Sequence, residues 1–123
     1  MPNRSYLDLE VWQKSMVFVV DCYKITQKFP HYELYGLTTQ LRRAAVSIPS
    51  DIAEGQARNH SKEFIRYLSI AYASLMEAET QLRIGQRLGY IKSQELAGLL
   101  ESAGNTLPSG CSQTFPKKRR SSP

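Results

Sequence analysis

The clearest regularity along the chain is the return of apolar residues every three or four positions, the signature of helices that bury one face. Leu9, Trp12, Met16, Val19, Tyr23 and Thr26 keep that spacing and predict a first helix from about Leu9 to Lys28. Asp8 stands where an N-cap carboxylate accepts from the free amides of a first turn. Phe18, Val20 and Cys22 add apolar surface beside the stripe, so this helix is apolar over more than one face. FPHYELYG then ends it: Pro30 disfavours helix in Phe29, and Gly36 permits a turn.

From Leu37 the series is Leu37, Leu41, Ala44, Ile48 and Ile52, with Gly55 completing the rhythm. Pro49 interrupts it. A proline inside a helix removes one backbone hydrogen bond and crowds the preceding turn, at about 3 kcal/mol. Two arrangements compete. A new helix could start after the proline, with Asp51 as its cap and Glu54 completing a capping box. Alternatively one helix continues through a kink. A helix that stopped at Pro49 would have no reason to keep Ile52 in phase with Leu37, Leu41 and Ile48, so a single kinked helix is the expectation.

Asn59 or Ser61 can cap the next element, about Lys62 to Leu88. Phe64, Leu68, Ala71, Leu75, Ala78, Leu82 and Gly85 alternate at four and three residues, the seam of helices packed near +20°. Ile65, Ile70, Tyr72, Ala73, Met76 and Ile84 form a second apolar set off that seam. A helix apolar this far round is buried on two sides, one by its own bundle and one by a neighbouring subunit. Gly89 stops it. YIKSQELAGLLES opens a fourth helix with Ser93 as cap and Leu96, Leu99 and Leu100 inward. The following AGNTLPSGCSQTFPKKRRSSP has turn formers, three prolines and no helical period. The pattern therefore predicts an all-α chain of four helices over residues 1–103, the fourth short, and an irregular, disordered tail over 104–123.

Composition narrows the picture without adding chemistry. The chain has 123 residues, enough for one domain, with 41% hydrophobic and 22% charged residues, ordinary soluble globular values. No apolar run approaches the roughly 18 residues of a membrane span, and MPNRSYLDLEVW lacks a signal-peptide layout. A cytoplasmic protein is expected. Cys22 lies in an apolar helical stretch and Cys111 in the polar tail, too few for a disulfide framework. His31 and His60 fall in loops with no partner at ligand spacing, so neither a metal nor a cofactor is assigned. The net charge is +5, yet residues 1–116 hold 12 basic and 11 acidic side chains. The basicity is mostly Lys117, Lys118, Arg119 and Arg120.

DLEVWQKS, FPHYELYGLTTQLRRAAVSIPSDIAEGQAR, EFIRYLSIAYASLMEAETQL and LGYI, spanning roughly residues 5 to 103, resemble the four-helix-bundle proteins of intervening sequences inside 23S ribosomal RNA genes. The resemblance implies an up-down antiparallel four-helix bundle that assembles as a homopentamer. A related branch, the accessory variability determinant of diversity-generating retroelements, implies work on nucleic acid. Asp51 stands where the family pattern has Asn, which adds a negative charge and weakens a nucleic-acid reading at that spot. A full amphipathic fourth helix is also implied. The loss of pattern after Ala103 suggests residues from Gly104 onward read in a shifted frame, a point that coding DNA decides.

No catalytic constellation stands out: there is no phosphate-binding glycine loop and no nucleophile with a positioned base. Glu54 and Glu77 lack the Glu-x-x-His partners of di-iron bundles. A non-enzymatic protein is expected. If the second and third helices run antiparallel about a loop near Arg58, then Arg43, Ser47, Ser74 and Glu77 flank one seam. They predict an Arg43–Glu77 ion pair or hydrogen-bonded network that helps fix register. Arg42, Arg58, Lys62 and Arg66 would cluster near the second interhelical loop and form a weak cationic patch for RNA or DNA, strengthened by repetition round a ring. The expected partners are other copies of the chain, then nucleic acid; no membrane and no small-molecule substrate is indicated.

Overall fold

A computed structural model describes residues 5–107. Four helices dominate: α1 (Glu10–Thr26), α2 (Leu37–Ala57), α3 (Ser61–Arg87) and α4 (Ser93–Thr106). Short 3-10 turns at Tyr6–Asp8 and His31–Glu33 precede α1 and α2. No strand occurs among the described residues, and none of their helices is long and apolar enough to cross a membrane. The most extensive packing is α2 on α3, then α1 on α2; α4 closes on α1 and more sparsely on α3.

α1 starts differently from expectation. Asp8 belongs to the 3-10 turn, and Leu9 is the N-cap residue, with no side-chain cap. The entry is instead tied by Ser5 Oγ, which accepts from Leu7 N at 3.1 Å, and by Gln13 Nε2, which donates to Leu7 O at 2.8 Å. The buried face also differs. Ser15, Phe18, Cys22, Ile25 and Thr26 are inside, whereas Met16 is 39% and Tyr23 40% exposed. Of the regular stripe only Thr26 is buried, and of the residues beside it Phe18 and Cys22 join the core while Val20 stays outside. Both stripes satisfy helical spacing, and what decides between them is enclosure: Phe18 is fully covered, while Trp12 and Val19 only flank the core.

α2 is one continuous helix with Pro49 inside it, so Asp51 is an interior residue and not a cap. Leu41, Ala44, Ile48, Ile52 and Gly55 are buried as the spacing requires. On either side of Pro49, Ser47 Oγ donates to Arg43 O at 3.0 Å and Ser50 Oγ to Val46 O at 2.9 Å. Glu33 secures the start of α2, its Oε1 accepting from Leu37 N at 3.0 Å. The α2–α3 seam is tight: a Cβ on Gly55 would lie 2.5 Å from Tyr67 Cβ and 3.3 Å from Phe64 Cδ1.

α3 buries Ala71, Leu75, Ala78, Leu82 and Gly85 along the expected seam. Neither Asn59 nor Ser61 caps it. His60 is the N-cap, and Asn59, at φ 55°, supplies the left-handed turn between α2 and α3, a conformation Asn tolerates. α4 begins one residue earlier than expected at its cap, with Lys92 N donating to Glu95 Oε1 at 2.9 Å. Glu95 also meets the Lys28 ammonium, which ties α4 to the end of α1. That contact, followed by the Lys92 amide, holds the Glu95 carboxyl below its ordinary range.

At its other end α4 runs past the boundary expected at Ala103, through Gly104 and Asn105 to Thr106. Ala103, Thr106 and Leu107 are buried, continuing the Leu96, Leu99 face at three- and four-residue spacing. Gly104 points into open space and interrupts nothing. Residues 108–123, with Cys111 and the Lys117–Arg120 cluster, lie outside the described residues.

Candidate functional site

Three surface regions collect the residues singled out from the sequence. The first lies where α2 passes into α3. Arg58 Nη2 donates to Tyr67 Oη at 2.7 Å, and its guanidinium sits 5.2 Å from the Tyr67 ring centroid. Arg66 approaches the same ring at 5.0 Å. Lys62 is exposed nearby on the first turn of α3. The carboxylates temper this patch: Glu54 lies 3.8 Å from Arg58 and Glu63 3.4 Å from Arg66, both exposed pairs of small energy.

Arg42 does not belong with them. Its Nε donates to Thr26 Oγ1 at 2.8 Å and its guanidinium covers the Tyr23 ring at 4.5 Å. Sixteen residues of helix separate it from Arg58, roughly 24 Å at 1.5 Å per residue. The expected group of four is therefore a group of three plus one arginine that fastens α2 to α1. The tyrosines that seat these guanidiniums, Tyr67 and Tyr23, were missed. No local spacing links Arg42 to Tyr23, because that pairing depends on which face of α1 turns toward α2.

The second region is a recess of about 380 Å³ between α2 and α3, lined by Tyr35, Thr39, Gln40, Arg43, Ala44, Ser47 and Glu77. Three of the four expected network residues meet here, with Ser74 outside the lining. The ion pair is not formed: among the described residues no salt bridge joins Arg43 to Glu77, and the Ser47 hydroxyl donates to the Arg43 carbonyl. Both charged side chains are exposed, and water solvates them at little cost, so proximity alone does not pair them. Glu54 and Glu77 occupy different regions and form no carboxylate pair.

The third region is apolar. Tyr6, Trp12, Met16 and Val19 face Val46, Pro49, Ser50 and Ala53 across an open groove of about 390 Å³ between α1 and α2. Tyr6 and Trp12 stack edge to face at 5.1 Å. Round the outside of α1, Val17 and Val20 are 58% and 48% exposed.

Among the described residues no group of three or more His, Cys, Asp or Glu side chains could hold a metal ion. Cys22 is a buried free thiol whose pKa is pushed up to about 12 by burial and by Asp21. It is inert at neutral pH.

These features define an all-α bundle of four helices. The family model of the 23S rRNA-intervening sequence protein matches residues 7–107, and the chain belongs to that family. The match ends where the buried face of α4 ends. Among curated proteins, no relative matches the chain.

Proposed function

We propose that the protein is a non-enzymatic, cytoplasmic bundle that works as a homo-oligomer, a homopentamer in keeping with the family it resembles. The observation that carries this reading is the outer face of α1. A helix in a self-sufficient bundle buries its apolar residues on one side, yet α1 encloses Phe18, Cys22 and Ile25 and still exposes Met16, Val17, Val20 and Tyr23. With Val46 and the α1–α2 groove these residues form one apolar surface of the kind that marks a protein contact. Native mass spectrometry of the intact chain tests the proposal. Five copies per particle is the expected result, and a monomer at micromolar concentration overturns it. Val20→Glu should reduce the particle mass while helicity persists.

A second reading rests on Arg58, Lys62 and Arg66. Arg58 and Arg66 converge on Tyr67 and Lys62 lies on the first turn of α3, a cationic patch that five-fold repetition would extend into a rim for nucleic-acid backbone. Retention of RNA that falls steeply with salt would support it. No retention at low salt removes it.

A further inference from the structure

We infer that the assembly contact is heterologous: the outer row of α1 on one copy seats over the α2–α3 recess of the next. This rests on the homo-oligomer proposed above and adds which two faces meet. A closed ring of more than two copies needs unlike faces, because a surface that pairs with itself stops at a dimer.

The two faces are complementary in spacing and in charge. On α3, Ile70, Glu77 and Ile84 follow one another at seven-residue intervals and so share one helix row, with Ile70 38% and Ile84 43% exposed. That row borders the recess in which Arg43 and Glu77 sit without pairing. On α1, Val17, Val20 and Lys24 keep the four- and three-residue spacing of a helix–helix seam, with Asp21 one turn from Val17. Asp21 and Lys24 line the neighbouring α1–α4 groove. Neither takes part in an ion pair among the described residues. An isoleucine row broken by one carboxylate and flanked by one arginine therefore meets a valine row flanked by one carboxylate and one ammonium. Lys24 of one copy then faces Glu77 of the next, and Asp21 faces Arg43.

The sequence of residues 108–123 offers no match for this face. Residues 108–123 contain only Cys111 and Phe115 as large apolar residues and hold four consecutive basic residues, so they lack an apolar row to lay along Ile70 and Ile84.

Mixing two one-sided variants tests the inference. Val20→Glu spoils the α1 row and leaves the recess intact, and the double change Arg43→Glu with Glu77→Arg spoils the recess and leaves the α1 row intact. All three positions are exposed, and circular dichroism confirms that each variant folds. The expected result is that each variant alone loses the higher assembly, whereas an equimolar mixture forms a one-to-one dimer and nothing larger. A mixture that stays monomeric, or a recess variant that still assembles fully alone, overturns the heterologous contact even if the wild-type chain is a pentamer. A monomeric wild-type chain overturns the homo-oligomer itself. As a second arm, Asp21→Arg combined with Arg43→Asp should restore assembly that Arg43→Asp alone weakens at least tenfold in concentration dependence. Absence of that restoration counts against the Asp21–Arg43 pairing.

Discussion

α2 has two packed sides: the side toward α3 closes tightly around Gly55 and opens only at the Arg43–Glu77 recess, and the side toward α1 stays open along an apolar groove. Toward α3 the buried residues include small ones, Ala44 on α2 and Ala71 and Ala78 on α3, and Gly55 lets Tyr67 approach so closely that a methyl group would collide. Toward α1 the side chains are larger and the fit is looser. Val46, Pro49 and Ala53 face Met16 and Val19 across a groove that solvent reaches. Close packing around Gly55 spends apolar surface on the fold, and the groove and the recess leave surface that another chain can cover.

The comparison is broken or sharpened most strongly on α1. Phe18 is fully enclosed and Met16, two residues earlier, is 39% exposed. Phe18→Ala should cost about 3–5 kcal/mol of stability, because it removes a ring and leaves a cavity. Met16→Ala should cost less than about 1 kcal/mol in the isolated bundle, as partly exposed positions do. Denaturant titration of the two variants under conditions that keep the chain monomeric measures both. Equal losses would mean that the outer stripe is core after all.

A smaller effect is expected on the closed side of α2. Gly55→Ala places a Cβ 2.5 Å from Tyr67 Cβ, and the resulting overpacking should cost about 1–3 kcal/mol. Ser50→Ala, on the groove side, should stay within about 0.5 kcal/mol, since Ser50 is exposed and its hydroxyl only reinforces the Val46 carbonyl. Thermal melts of both variants measure the difference, and a neutral Gly55→Ala would show that the seam yields.

Legibility in the sequence followed the same division. α2 and α3 each carry one dominant apolar series, and Leu41, Ile48, Ile52, Ala71, Leu75 and Leu82 are buried where spacing alone places them. α1 carries two series, and spacing does not say which is enclosed; that choice is made by the neighbours. The convergence of Arg43, Ser47 and Glu77 was readable because one short turn joins α2 to α3 and fixes their register. The separation of Arg42 from Arg58 was legible as well, since sixteen residues of one helix lie between them; spacing could not show that Arg42 pairs with Tyr23 and Thr26 on α1. The end of α4 was hidden by composition: Gly104, Asn105 and Thr106 read as turn formers, yet Ala103, Thr106 and Leu107 keep the buried row alive.

The smallest expected effect concerns Asp51, half-buried on α2 two residues beyond Pro49. Burial, and then the neighbouring Glu54 carboxylate, push its pKa above the ordinary aspartate value. The sign follows from linkage. A carboxyl whose folded pKa is raised favours the fold while protonated, below the unfolded value of about 3.9, and this contribution is lost as pH rises through the folded pKa. At neutral pH the ionised Asp51 is therefore a mild burden on α2. Asp51→Asn keeps the shape and removes the charge, so it should raise stability at pH 7 by about 0.5 kcal/mol, the scale of a surface-accessible substitution. The gain should shrink toward pH 3, where the wild-type carboxyl is protonated in both states. Melting temperatures of the two proteins across that range decide it: a gain that is constant with pH would assign the effect to packing, and a loss at pH 7 would mean that the Asp51 carboxylate holds a contact worth more than its desolvation.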